Sequence, residues 1–160
     1  MIPGASTPTG GEDYVDPEHD FVDDHLRWQC GYSFIVQIPS NYDPEEEYPL
    51  VMFLHGSVEL SGDTLEWFQD GMRQAFHIPD DDPYIFVSPI KLEIDWDAKK
   101  AQDVLEDVKA NLSIDEDRVY LTGMSMGGRG TFIVAAELPD YFAAIMPLSP
   151  HHLPYSYVPL

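Results

Sequence analysis

Val119-Tyr120-Leu121-Thr122-Gly123-Met124-Ser125-Met126-Gly127-Gly128 is an apolar, β-prone run that breaks at Gly-x-Ser-x-Gly and passes into a helical pattern. A serine between a strand and a helix in this way stands at the tip of a strained turn, which makes Ser125 a candidate nucleophile. A hydroxyl attacks poorly unless one group takes its proton and others hold the negative charge that develops. Gly123 and Gly127 remove side chains where strand and helix come close. The amide N–H of Met126, at the start of the helix, is a candidate oxyanion donor, and the helix dipole adds to it.

Working outward, the apolar runs predict strands over residues 32–38, 50–54, 84–88, 118–122 and 142–148. The run at 50–54 has no polar alternation, so it reads as a strand covered on both faces, as in parallel sheets. Helical spacing appears over 64–77, where Asp63 and Thr64 offer an N-cap, over 97–112, and over 126–138. Gly127, Gly128 and Gly130 open the last of these and allow close approach of helix to sheet. Residues 113–117 read as a connection. From residue 50 the order is strand, helix, strand, helix, strand, helix, strand. That alternation predicts an α/β fold with a doubly wound, mostly parallel sheet. His55-Gly56-Ser57 follows the strand at 50–54 and reaches the same sheet edge as Ser125, where ligands bind in such folds. The N–H of Ser57 is therefore the second candidate oxyanion donor, and His55 reads as part of that loop's scaffold.

The 160 residues fit one domain, with 1–20 as a flexible acidic N-terminal arm and 21–160 as a single shortened domain. The chain carries 29 acidic and 8 basic residues, a net charge of -21. Such a surface repels nucleic acid and anionic membranes. It fits either a strongly solvated surface or a high-salt host in which counterions screen the repulsion. Cys30 is the single cysteine, so no internal disulfide forms. The N-terminus lacks the charge and apolar pattern of a signal peptide, and no apolar run is long enough to span a membrane, so a cytoplasmic protein is the default expectation. Asp80-Asp81-Asp82 reads as a solvated turn, not a metal site, and His19, His25 and His77 as surface or helix-end residues. Trp28, Trp67 and Trp96 read as packing residues, with Trp96 also placed to line a cleft.

Tyr48-Pro49-Leu50-Val51-Met52-Phe53-Leu54-His55-Gly56-Ser57, residues 114–128 and Leu138-Pro139-Asp140-Tyr141-Phe142-Ala143-Ala144 together resemble the α/β-hydrolase serine esterases. The branch of carboxylesterases, feruloyl esterases and polyhydroxybutyrate depolymerases is the one they resemble most. The resemblance covers roughly residues 30 to 150. It implies the α/β-hydrolase fold in shortened form. It also implies hydrolysis of a small carboxylic ester through an acyl-serine at Ser125, with no metal or organic cofactor. Ser57 and Met126 would supply the oxyanion hole. In that family the acid and then the histidine follow the serine on later loops. Here no Asp or Glu follows Asp140, which sits in a helix-ending turn. Three alternatives remain open. His151 or His152 acts as base, since both follow the strand beside that of Ser125. A second chain supplies the partners, as a homodimer paired along the exposed edge strand 142–148. Or the chain is a truncated or non-catalytic relative that binds a ligand or partner chain.

Overall fold

A run with no polar alternation suits an inner strand, and Leu50 to Leu54 lies in one, with Leu50, Met52, Phe53 and Leu54 buried and Val51 half-buried. The computed structural model describes residues 31–56, 83–91 and 95–151. The elements within them are β1 (Ser33–Gln37), β2 (Tyr48–Leu54), β3 (Ile85–Ile90), α1 (Ala98–Asn111), β4 (Ile114–Met124), α2 (Met126–Glu137) and β5 (Ala144–Leu148). The sheet order is β1-β3-β2-β4-β5. β1 runs antiparallel to β3, and every other pairing is parallel. This is the mostly parallel α/β sheet that the alternation of apolar runs and helices predicts. The arm at 1–20, the helix expected over 64–77, Cys30 and the acidic turn at 80–82 lie outside the described residues.

The inner strands hold the core. Leu50, Met52, Leu54, Ile85, Val87, Val119 and Leu121 are fully buried, against Val104, Leu105 and Val108 of α1 and Val134 of α2. Each such side chain contributes about 1.5–3 kcal/mol relative to exposure. α1 starts where Asp97 accepts the N–H of Lys100 through its carboxylate at 2.9 Å, an N-cap that satisfies one of the first-turn donors. The hydroxyl of Tyr32 accepts the Asp97 N–H at 2.7 Å and ties this start to the chain before β1.

β4 is longer than the sequence predicts. Tyr48 pairs with Ile114, the register then shifts, and Leu50 pairs with Val119. The acidic stretch 115–117, expected as a connection, is thus an irregularity inside the strand. The Asp115 carboxylate accepts the N–H of Asp117 at 3.0 Å and the Arg118 Nε at 2.5 Å, so local side-chain bonds replace ladder bonds there. At the other end β4 runs in register with β2, Leu54 beside Gly123, and with β5, Met124 beside Leu148. Both neighbours therefore finish level with Ser125.

Glycine sets how α2 sits on this edge. A Cβ on Gly127 would overlap the Leu54 carbonyl and fall 2.7 Å from that of His55. A Cβ on Gly123 would overlap the Gly127 carbonyl. Helix and strand backbones are in direct contact at this point. Gly127→Ala is expected to cost about 3 kcal/mol as overpacking against backbone that cannot move aside. At about 2–4 °C per kcal/mol for a chain of this size, thermal circular dichroism should show a melting temperature lower by about 6–12 °C. An unchanged melting curve would contradict the close contact.

Candidate active site

Ser125 joins β4 to α2 with φ 57° and ψ -113°. A non-glycine residue with such angles carries strain of order 1–3 kcal/mol and persists only where its surroundings hold it. Three backbone bonds do so. The Ser125 N–H donates to the Leu148 carbonyl at 2.9 Å, and the Ser125 carbonyl accepts from Arg129 N–H at 3.0 Å and from His151 N–H at 2.9 Å. The segment after β5 therefore braces the turn as well as the helix does. Gly128 allows this, since a Cβ there would meet the Leu148 carbonyl at 2.5 Å and Pro150 Cα at 3.0 Å.

The loop after β2 comes to the same place. A Cβ on Gly56 would stand 3.3 Å from Ser125 Cβ and 3.9 Å from its Oγ, so glycine here keeps a side chain from crowding Ser125. Met126 opens α2, whose first-turn N–H groups face the helix N-terminus. Of the residues singled out from sequence, the fold brings Ser125, Met126, Gly56 and the backbone of His151 together. The His151 side chain is exposed. Ser57 and His152 lie outside the described residues.

His55 is buried at the end of β2. Its Nε2 accepts the Lys91 N–H at 3.0 Å. The proton of the neutral ring therefore sits on Nδ1, which donates to the Gly56 carbonyl at 2.7 Å. With both ring nitrogens engaged in backbone bonds, His55 is a brace of the loop and not a general base. Burial pushes its pKa down from 6.5 to about 4. The Gly56 carbonyl opposes that shift, and the charge of Lys91 adds to it.

Sequence reasoning missed a second brace. Arg129, one turn after Ser125, holds Asp95 with Nε at 3.0 Å and a second guanidinium nitrogen at 2.8 Å. The Arg129 hydrogen bond holds the Asp95 carboxyl below its usual range. Trp96, read as packing or cleft lining, is buried in the core. Among the described residues no cluster of His, Cys, Asp or Glu could hold a metal ion.

These features can be set beside known proteins. A family model described as "Putative esterase" matches residues 27–157. The chain belongs to the esterase family of the α/β-hydrolase fold. It is 30% identical over 131 residues to a probable feruloyl esterase C of Aspergillus terreus, covering 74% of this chain and 46% of that one. A solved FAE structure matches with TM-score 0.57 at 26% identity, covering 78% of this chain and 51% of that one. A thermostable esterase structure matches with TM-score 0.50 at 26% identity, covering 71% and 36%. The chain spans about half the length of the feruloyl esterase C relatives it matches.

The His55 imidazole makes stability depend on pH. The unfolded chain takes up this proton near pH 6.5, whereas the folded chain resists it down to about 4. Stability from this group is thus complete above 6.5 and is lost as pH falls from 6.5 to 4, by an amount of order 3 kcal/mol. Urea unfolding at pH 7, 5.5 and 4 should show this loss in the wild type. His55→Gln should be less stable at pH 7 and lose much less between 6.5 and 4. Equal pH slopes in the two proteins would contradict the neutral, buried assignment.

Proposed function

We propose that this chain is a serine esterase that cleaves small carboxylic esters through an acyl-serine at Ser125. One observation carries the reading. A strained non-glycine residue stands at the strand-to-helix turn, with Gly56, which carries no Cβ to crowd it, beside its side chain. Strain of this kind is maintained where a side chain must project from the backbone. Membership of the esterase family supports the same chemistry.

The sequence of steps follows from the groups present. The Ser125 Oγ attacks the ester carbonyl carbon while a base removes its proton. The carbonyl oxygen becomes an oxyanion, held by the N–H of Met126 at the helix N-terminus and by the N–H of Ser57. Collapse of the tetrahedral species releases the alcohol, which regains the proton. Water repeats the attack on the acyl-serine and releases the carboxylic acid. The base in this reading is His151 or His152. The backbone tie from His151 to Ser125 favours His151, because it anchors that residue at the turn. A histidine without its acid retains part of the chemistry, since the acid chiefly orients and stabilises the imidazole. No metal or organic cofactor enters these steps. Net charge of -21 makes uncharged esters better partners than anionic ones, nucleic acid or anionic membrane, and it hastens departure of the acid product.

A second reading is favoured by one observation. Exposed apolar side chains cluster at β4 and β5, where Met124, Met146 and Leu148 face solvent among the described residues. A partner chain, such as a second copy, would pair along β5 and bring acid and imidazole, or the domain would bind its ligand without turnover.

A short-chain p-nitrophenyl ester separates these readings. Wild type should turn it over, Ser125→Ala should fall to background, and the His151→Ala, His152→Ala double variant should lose about 10²-fold or more. Turnover unchanged in Ser125→Ala would reject Ser125 as nucleophile. Unchanged turnover in the double variant would reject both histidines as base.

A further inference from the structure

The loop between β3 and α1 places Asp95 and Trp96 between the two elements that flank Ser125. The Trp96 ring meets His55 edge-on, with centroids 5.0 Å apart at 69°, and Tyr32 at 5.4 Å and 76°. Lys91 Nζ lies 5.4 Å from its centroid. The same ring lies against Gly130 of α2, where a Cβ would fall 2.5 Å from Trp96 Cγ and 3.0 Å from Trp96 Cβ. One side chain therefore abuts both flanking elements. His55 passes that contact to the loop through its bond to Gly56. Gly130 passes it to the helix whose first turn holds Met126. The neighbouring Asp95–Arg129 pair ties the loop to α2, and the Arg129 N–H is itself bonded to the Ser125 carbonyl.

We infer that Trp96 is a positioning residue that fixes the distance between the Gly56 loop and the first turn of α2, with the Asp95–Arg129 pair locking it in place. The inference rests on the esterase reading of Ser125 and assigns the spacing of its oxyanion donors to a side chain that never touches the ester. Two donors must converge on one oxygen, each within about 3 Å. Displacement of a reacting geometry by about 1 Å costs about 10²-fold in rate. A spacer therefore needs to be rigid and incompressible, as a closely packed ring is. The indole Nε1 is buried with no hydrogen-bond partner among the described residues. An unmade bond of this kind is unfavourable, so the shape of the ring, not a hydrogen bond, accounts for its place.

The test compares Trp96→Leu, Trp96→Phe and Asp95→Asn with wild type. Steady-state kinetics on the p-nitrophenyl ester are run beside melting curves and amide hydrogen exchange by NMR. Trp96→Leu should lose about 10²-fold in kcat with KM within about threefold, and Trp96→Phe should recover at least about a tenth of the wild-type kcat. Exchange at Lys91, whose N–H is bonded to His55 Nε2, and at Arg129, whose N–H is bonded to the Ser125 carbonyl, should quicken together, by about tenfold, while Leu121 in β4 stays as in wild type. Asp95 is partly exposed, so Asp95→Asn leaves the core intact and keeps the test open if Trp96→Leu does not fold. It should lower kcat about threefold to tenfold with the same paired exchange change. Equal kcat per folded molecule, exchange that quickens evenly across the sheet, or a phenylalanine no better than leucine would overturn the inference. A wild type with no Ser125-dependent turnover would sink the esterase reading alone. The paired exchange change would then still uphold the spacer, and its absence would reject it.

Discussion

Backbone contact between the first turn of α2 and the end of β2, possible only because residue 127 is glycine, governs the rest of this structure. It draws the helix N-terminus down to the sheet edge. The chain leaving β4 has no room for a gradual turn and must reverse within one residue. Ser125 takes that turn at φ 57°, a strained conformation for a residue with a side chain. Leu148, Arg129 and His151 hold the residue there through backbone bonds alone. The scaffold thus holds Ser125 by its main chain.

The polar groups around the turn follow one logic. Burying an imidazole disfavours its charged form, and His55 answers by remaining neutral and bonding two backbone groups. Its ring thereby becomes rigid scaffolding. The Asp95–Arg129 pair lies at the rim, where water still reaches both groups and ionisation costs little, and the Lys91 ammonium lies over the Trp96 ring. Trp96 fills the space between, against His55 on one element and Gly130 on the other.

Much of this was legible in the chain. Leu50 to Leu54 and Val119 to Leu121 form buried parallel strands because an unbroken apolar run has no face fit for water. The helical spacing over 97–112 forms α1, and Gly-x-Ser-x-Gly forms the turn its glycines permit. Other features were not legible, for physical reasons. Asp115-Glu116-Asp117 has the composition of a loop, yet Asp115 satisfies the backbone locally and lets the strand run on through the irregularity. Gly130 suggested contact between helix and sheet, whereas it meets the Trp96 ring. Asp95 and Arg129 are far apart in sequence, with no periodicity between them, so only the fold reveals the pair. A glycine inside a helix costs about 1 kcal/mol relative to alanine, and that cost was the one available hint of a close neighbour at residue 130.

A crystal structure with an alkyl boronic acid addresses the central claim most directly, because tetrahedral boron reports the hydroxyl and the facing amide at once. The account predicts a covalent bond from boron to Ser125 Oγ, with one boronate oxygen about 3 Å from the Met126 nitrogen. Boron bound elsewhere, or that oxygen turned away from the helix N-terminus, would contradict it.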